Sequence, residues 1–154
     1  MSEAAVIIPN WNGKIWLKDC LDALRRQTCR DFSVVLVDNG SEDGSAAFVR
    51  EHYPEVELIC LEENTGFCHA VNEGIRRSDA PYVILLNNDT IPGADFTLEL
   101  IRSIKEHPDA AACQAKMLQM NDPMKIDNAG DYYCALGWAF ARGRGKDRDR
   151  KSVV

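Results

Sequence analysis

Four short apolar runs constrain this fold more than anything else in the chain: A-A-V-I-I at 4–8, V-V-L-V at 34–37, V-E-L-I-C-L at 56–61 and Y-V-I-L-L at 82–86. The first, second and fourth are rich in Val and Ile and do not alternate with polar residues, which is how strands covered on both faces read. Between them, apolar residues fall at helical spacing. Leu17, Cys20, Leu21 and Leu24 do so within 14–27, Phe67, Ala70, Val71, Gly74 and Ile75 within 65–77, and Thr97, Leu100, Ile101 and Ile104 within 95–106. Segment 42–53 is a shorter helix candidate with Ser41 as its N-cap, and 110–118 reads as a further strand. Strands alternating with helices predict an α/β fold, a mostly parallel sheet with helices on both faces joined by right-handed crossovers. Ligands of such sheets bind beyond the carboxyl ends of the strands.

Those ends are polar. The first strand runs into Pro9-Asn10-Trp11-Asn12-Gly13, the second into Asp38-Asn39-Gly40-Ser41 and the fourth into Asn87-Asn88-Asp89; Glu63-Asn64-Thr65-Gly66 follows the third. Together they offer an aromatic face, carboxylates, amides and helix N-termini, a set suited to a nucleotide with a metal on its phosphates. Each piece alone has a plainer reading. Asp38-Asn39-Gly40 is a turn sequence, Trp11 is a packing residue, Asp89-Thr90 caps a helix beginning near Pro92, and His69 is a packed or surface histidine rather than a catalytic one. Four polar loops on one sheet edge have no common structural reason, and that combination favours a site. No G-x-x-x-x-G-K-[ST] and no G-x-G-x-x-G after the first strand is present, which argues against a P-loop and a Rossmann dehydrogenase.

Composition narrows the setting. At 154 residues, 45% hydrophobic and 27% charged, the chain suits one domain with a real core. No apolar run is long enough for a transmembrane segment, and M-S-E-A-A-V lacks the basic start of a signal peptide, so a cytoplasmic location is expected. The six cysteines form no C-x-x-C pair, which argues against structural zinc and for free thiols. In that compartment the formal glycosylation sequons at Asn39 and Asn88 go unread. Residues 142–151 hold six basic and two acidic residues, so the rest of the chain carries −10 of the net −6. An acidic body argues against nucleic acid as partner. The basic stretch 141–154 reads as a flexible tail, or as a contact for anionic lipid at the inner face of the membrane.

The motifs V-I-I-P-N-W-N, V-L-V-D-N-G-S-E-D-G-S, N-T-G-F with N-E-G-I, and I-L-L-N-N-D-T, in that order, resemble family 2 glycosyltransferases over roughly residues 4–140. The resemblance implies a Rossmann-like GT-A nucleotide-diphospho-sugar transferase fold over 1–140. The N-N-D form, with D-N-A-G at 127–130, is most similar to the rhamnosyltransferase-like branch of cell-envelope polysaccharide synthesis. By resemblance, Trp11 stacks on the base with Pro9 and Asn12 beside it, Asp38 accepts from the base N3–H with Asn39 adjoining, and Gly66 and Asn72 pass close to the nucleotide. Asn87 or Asn88 contacts the ribose or a metal-bound water, and Asp89 ligates Mg²⁺ or Mn²⁺ on the diphosphate of a UDP- or dTDP-linked sugar. A single carboxylate is enough when phosphates and water complete the shell. The implied reaction is inverting transfer to a hydroxyl of a saccharide or lipid-linked acceptor.

The chain departs from the family at two points. Val71 stands where many relatives carry Arg, with His69 as a partial substitute. No E-D general base is present either, since Asp122, Asp127 and Asp131 do not match that motif. The base is therefore expected beyond residue 154, as in a C-terminally truncated enzyme, and apolar segment 132–140 is expected to seek cover in a homodimer. Two alternatives stay open: a nucleotide-binding or assembly fragment without turnover, and a sugar nucleotidyltransferase, for which W-N-G-K makes a poor triphosphate loop.

Overall fold

The computed structural model describes residues 2–134 and 138–149. By its contacts the chain divides into two compact units, Met1–Ile101 and Arg102–Val154. In the first, β1 (Ala4–Asn10), β2 (Phe32–Asn39), β3 (Glu57–Leu61) and β4 (Tyr82–Leu85) form one parallel sheet in the order β3-β2-β1-β4. Helices α1 (Lys14–Arg25), α2 (Ser45–His52) and α3 (Phe67–Arg77) make the crossovers, and α4 (Phe96–Glu106) follows β4.

Handedness decides which face each helix covers. The chain steps outward from β1 to β2 to β3, so right-handed connections put α1 and α2 on one face; the return to β4 on the far side of β1 puts α3 on the other. The buried clusters follow that division. Val6, Ile8 and Leu36 pack with Leu17, Leu21 and Leu24 of α1, Val49 of α2 and Ile101 of α4, while Ala5, Ile7, Val35 and Val37 pack with Ala70 of α3. Gly74 lets α3 approach closely, because a Cβ there would lie 2.4 Å from Ile7 Cγ2. The strand order reverses between β1 and β4, and the carboxyl ends of these two neighbours lie side by side at the edge where ligands of such sheets bind.

Pro9 sits in this central strand without breaking a ladder. The Ile7 carbonyl accepts from the Leu86 amide, so odd-numbered residues of β1 turn their amide edge toward β4, whose pairing ends at Leu85.

Several expectations need correction. β4 is an edge strand covered on one face only: Ile84 is buried, whereas Val83 and Leu85, paired with Ala5 and Ile7 on the α3 face, are 41% and 53% exposed. Of 110–118, only Met117–Leu118 is strand, and it pairs outside the parallel sheet. Helix α2 starts at Ser45 rather than near 42, after Gly44 in the left-handed region, so Ser41 does not cap it. The segment after Asp89 does not enter a helix until Phe96; Gln27 holds it, its amide donating to the Gly93 carbonyl and accepting from the Thr97 amide.

The second unit contains two antiparallel pairs, β5 (Met117–Leu118) with β6 (Ile126–Asn128) and β7 (Asp131–Tyr133) with β8 (Ala139–Ala141). The stretch expected as a basic tail is hydrogen-bonded over part of its length: Gly145 donates to the Ile126 carbonyl, Arg148 to that of Met124, and Lys125 pairs with Asp147 at 2.6 Å. Its residues 150–154 lie outside the described residues, as do 135–137 of the expected dimer surface; Trp138 and Phe140 beside the latter are exposed. Among the described residues no helix is long and apolar enough to cross a membrane.

Candidate functional site

The carboxyl edge of the sheet is built in two layers. The inner layer is a buried polar network at the strand tips. Asn10, the last residue of β1, follows Val6 and Ile8 on one face and is 1% exposed, so its amide must be satisfied inside. Its Nδ2 donates to Asp38 Oδ1 at 2.8 Å and to Ser41 Oγ at 3.2 Å, and its Oδ1 accepts from Asn88 Nδ2 at 2.7 Å. The other oxygen of Asp38 accepts from the Ser41 amide at 3.3 Å. One residue on, Asn39 faces the loop after β3. Its Oδ1 accepts from the Thr65 amide and hydroxyl, both at 3.0 Å, and its Nδ2 donates to Asn64 Oδ1 at 2.9 Å. The D-N-G-S turn thus ties β1 and β4 on one side and the β3 loop on the other.

The outer layer is exposed. Trp11 is 57% exposed, so its indole is available for stacking rather than committed to a core. Asn12 adopts φ 50°, a left-handed conformation that Asn tolerates; its amide donates to Ser41 Oγ and its Oδ1 accepts from the Glu42 amide, each at 2.9 Å. Asn87 and Asp89 are exposed at the tip of β4. The Asn87 carbonyl is held by Thr90 Oγ1 at 2.7 Å and lies 3.9 Å from the buried Cys20 thiol. Gly66, at φ 88°, opens α3, and its amide donates to Asn64 Oδ1 at 2.9 Å. Asn72 is exposed on α3, and no hydrogen bond among the described residues joins it to the edge network. His69 is a surface side chain 2.8 Å from Thr65 Oγ1, and Val71 is buried.

Two ionisable groups beside the edge are shifted. Burial pushes the Cys20 thiol up to about 12; the Asp89 charge adds to this and a hydrogen bond with Thr90 opposes it, so Cys20 is no nucleophile at neutral pH. Burial also acts to raise Asp43, but hydrogen bonds from the Ser45 hydroxyl and the Lys14 and Ser45 amides outweigh it and hold this carboxyl below its ordinary 3.8. Asp43 caps two helices at once, because Gly13 and Gly44, the residues preceding α1 and α2, have no side chain to do so. Its contribution is fully present above pH 3.8 and is lost as pH falls through the lower folded value. Asp43→Ala should therefore cost roughly 1–2 kcal/mol at neutral pH, and the gap from wild type in thermal unfolding should close in acid.

The donor set suits a hard cation shared with a ligand. Among the described residues no three His, Cys, Asp or Glu side chains could hold an ion by themselves, and Asp89 supplies one exposed carboxylate, preceded in the chain by Asn87 and Asn88. The sequence named the outer layer together with Asp38, Asn39 and Asn88 of the inner one, but gave no site role to Asn10, Gly13, Cys20 or Asp43. The signal for Asn10 was available: it continues the buried file Val6, Ile8 by two-residue parity.

Fold and edge together define an α/β domain of the GT-A glycosyltransferase type. A mannosyltransferase from Pyrobaculum calidifontis, solved with GDP-Man and Mn²⁺, superposes with TM-score 0.64 and 28% identity over 75% of this chain and 36% of its own. S. aureus TarS 1–349 in complex with UDP shares the fold at TM-score 0.64 and 19% identity, over 79% of this chain and 43% of its own. The chain belongs to glycosyl transferase family 2, whose profile matches residues 5–150. Related sequences include the uncharacterized glycosyltransferase YfnE of Bacillus subtilis (29% identical over 72% of this chain and 29% of that protein). A PGL/p-HBAD biosynthesis glycosyltransferase of Mycobacterium tuberculosis is 33% identical over 67% of this chain and 42% of its own length. The chain spans less than half the length of these relatives.

Proposed function

We propose that this chain is the donor-binding part of a glycosyltransferase and takes a nucleoside-diphosphate sugar together with Mg²⁺ or Mn²⁺ at the carboxyl edge of its sheet. The observation that carries this reading is the two-layered edge: a buried Asn10–Asp38–Asn39 network that fixes the strand tips, and an exposed rim of Trp11, Asn12, Asn87 and Asp89 at the carboxyl ends of β1 and β4. In it Trp11 stacks on the base, with Pro9 and Asn12 beside the nucleoside. Asp38 and Asn39 hold the loops through these hydrogen bonds, and the second lone pair on each Asp38 oxygen is left to accept from the base N3–H, with Asn39 adjoining. Gly66 and Asn72 bound the side toward α3, and Asn87, Asn88 and Asp89 meet ribose, metal-bound water and metal.

A divalent ion bound at Asp89 supplies Lewis-acid stabilisation of the departing diphosphate. The residues of this chain orient the donor along the carboxyl edge and keep its diphosphate over the strand tip. We assign no general base. Among the described residues, Asp122 and Asp131 make local hydrogen bonds and Asp127 lies 3.8 Å from Arg144. The acceptor in this reading is a hydroxyl of a saccharide or a lipid-linked molecule; one relative is a teichoic acid poly(glycerol phosphate) polymerase of Staphylococcus epidermidis, 27% identical over 58% of this chain and 13% of its own length. A rhamnosyl donor and a cytoplasmic site near the membrane face are the finer parts of the same reading.

Calorimetric titration of UDP, dTDP and GDP, each with and without Mn²⁺, tests it. Binding of one nucleotide, strengthened by the metal, is the expected result. A folded protein that binds none of the three refutes it.

A further inference from the structure

The inner network has a direction. Asp38 is a carboxylate and can only accept, so the Asn10 amide must turn its Nδ2 toward Asp38 Oδ1; the flipped amide would set oxygen against oxygen. That orientation leaves Asn10 Oδ1 facing Asn88, and only the Asn88 amino group can satisfy it, at 2.7 Å. The Oδ1 of Asn88 is then turned away from the network, and no protein donor among the described residues reaches it. Gly13 closes the other side of the pair: a Cβ there would lie 2.0 Å from Asn88 Nδ2 and 2.6 Å from Asn10 Oδ1.

We infer that Asn10 is a positioning residue, which passes the acceptor-only character of Asp38 through two amides and so presents Asn88 Oδ1, not Nδ2, beside Asp89. The inference rests on the nucleotide reading of this edge and deepens it. An outward carbonyl oxygen accepts from a hydroxyl or water, or ligates a cation; it repels a bare phosphate oxygen, which an outward amino group would attract. The polarity of the tip of β4 is thus set by a residue that the ligand does not touch.

Side-chain amide NMR and calorimetry with UDP and Mn²⁺, on wild type, Asn10→Ala, Asn88→Ala and the double variant, test the inference. In wild type the Asn88 amino protons should exchange slowly with solvent, and in Asn10→Ala as fast as those of exposed Asn72. Affinity for UDP with Mn²⁺ should fall about ten- to a hundred-fold in Asn10→Ala, as for the loss of a residue that orients a ligating group. The double variant should bind no more weakly than Asn88→Ala, because the two residues act as a unit. Gly13→Ala, whose Cβ would strike the pair without removing any polar atom, should reproduce the loss even where Asn10→Ala fails to fold. Fast Asn88 exchange in wild type, additive losses, or unchanged affinity in both Asn10→Ala and Gly13→Ala would overturn the inference. A wild type with protected Asn88 protons and no affinity for UDP, dTDP or GDP with Mn²⁺ refutes the nucleotide reading. It reduces Asn10 to a structural residue.

Discussion

Asp89→Ala is expected to lower the affinity for a nucleoside diphosphate with Mn²⁺ by about a hundred-fold or more, while leaving the fold intact. Losing an outer-shell partner of a metal ligand costs roughly ten- to a hundred-fold, so losing the ligand itself should cost at least the upper figure. Stability should hardly change, because Asp89 is exposed and donates or accepts no hydrogen bond among the described residues. The thermal unfolding midpoint should stay within the range of ordinary surface substitutions. Metal-free binding carries the discrimination. If Asp89 acts through the ion, the variant and wild type should bind nucleotide equally without Mn²⁺ and differ only with it. An equal loss in both conditions would make Asp89 a direct partner of the nucleotide and remove the ion from the account.

The features that the sequence revealed and those it hid differ in kind. The parallel sheet and its helices were legible because they rest on local periodicity, as in Leu17, Cys20, Leu21 and Leu24, which all proved buried in α1. Coverage of β4 was not legible, since Y-V-I-L-L has the same composition whether one face or two are packed; strand order makes β4 an edge. The outer layer could be named from motifs, because chemistry-bearing residues at strand ends are visible one by one. The inner layer depends on which residues meet across the sheet. Ser41 looked like a helix cap until pairing brought its hydroxyl to Asn10, and the tie of Asn88 to the same residue was equally hidden. Segment 110–118 misled for the opposite reason: its short apolar stretches suit a strand, but among the described residues its strand pairing begins only at Met117.

Gly40→Ala is expected to be the most damaging single methyl addition on this edge. D-N-G reads as a turn from sequence, and the structure makes it one: Gly40 has φ +71°, where an L-residue costs about 1–2 kcal/mol. The same glycine is also a contact. A Cβ there would lie 2.6 Å from the Glu63 carbonyl carbon and 2.9 Å from the Asn64 amide, both backbone atoms that cannot rotate away. Relief requires the β3 loop to shift, at a further cost of about 1–3 kcal/mol. That shift would also strain the bonds by which Asn39 holds Asn64 and Thr65. The expected result is therefore a midpoint lowered by roughly 10 °C together with weakened nucleotide binding. Two other glycines calibrate the argument. Gly93 has no atom within 4 Å of a Cβ and no positive φ, so Gly93→Ala should be neutral. Gly74 has the clash with Ile7 Cγ2 at 2.4 Å without the backbone strain, and it lies in the packing of α3 rather than on the loops, so Gly74→Ala should lower stability and leave the affinity of the folded fraction unchanged. A Gly40→Ala protein as stable as Gly93→Ala would mean that the β3 loop is free to move. The turn after β2 would then not be what fixes the strand tips.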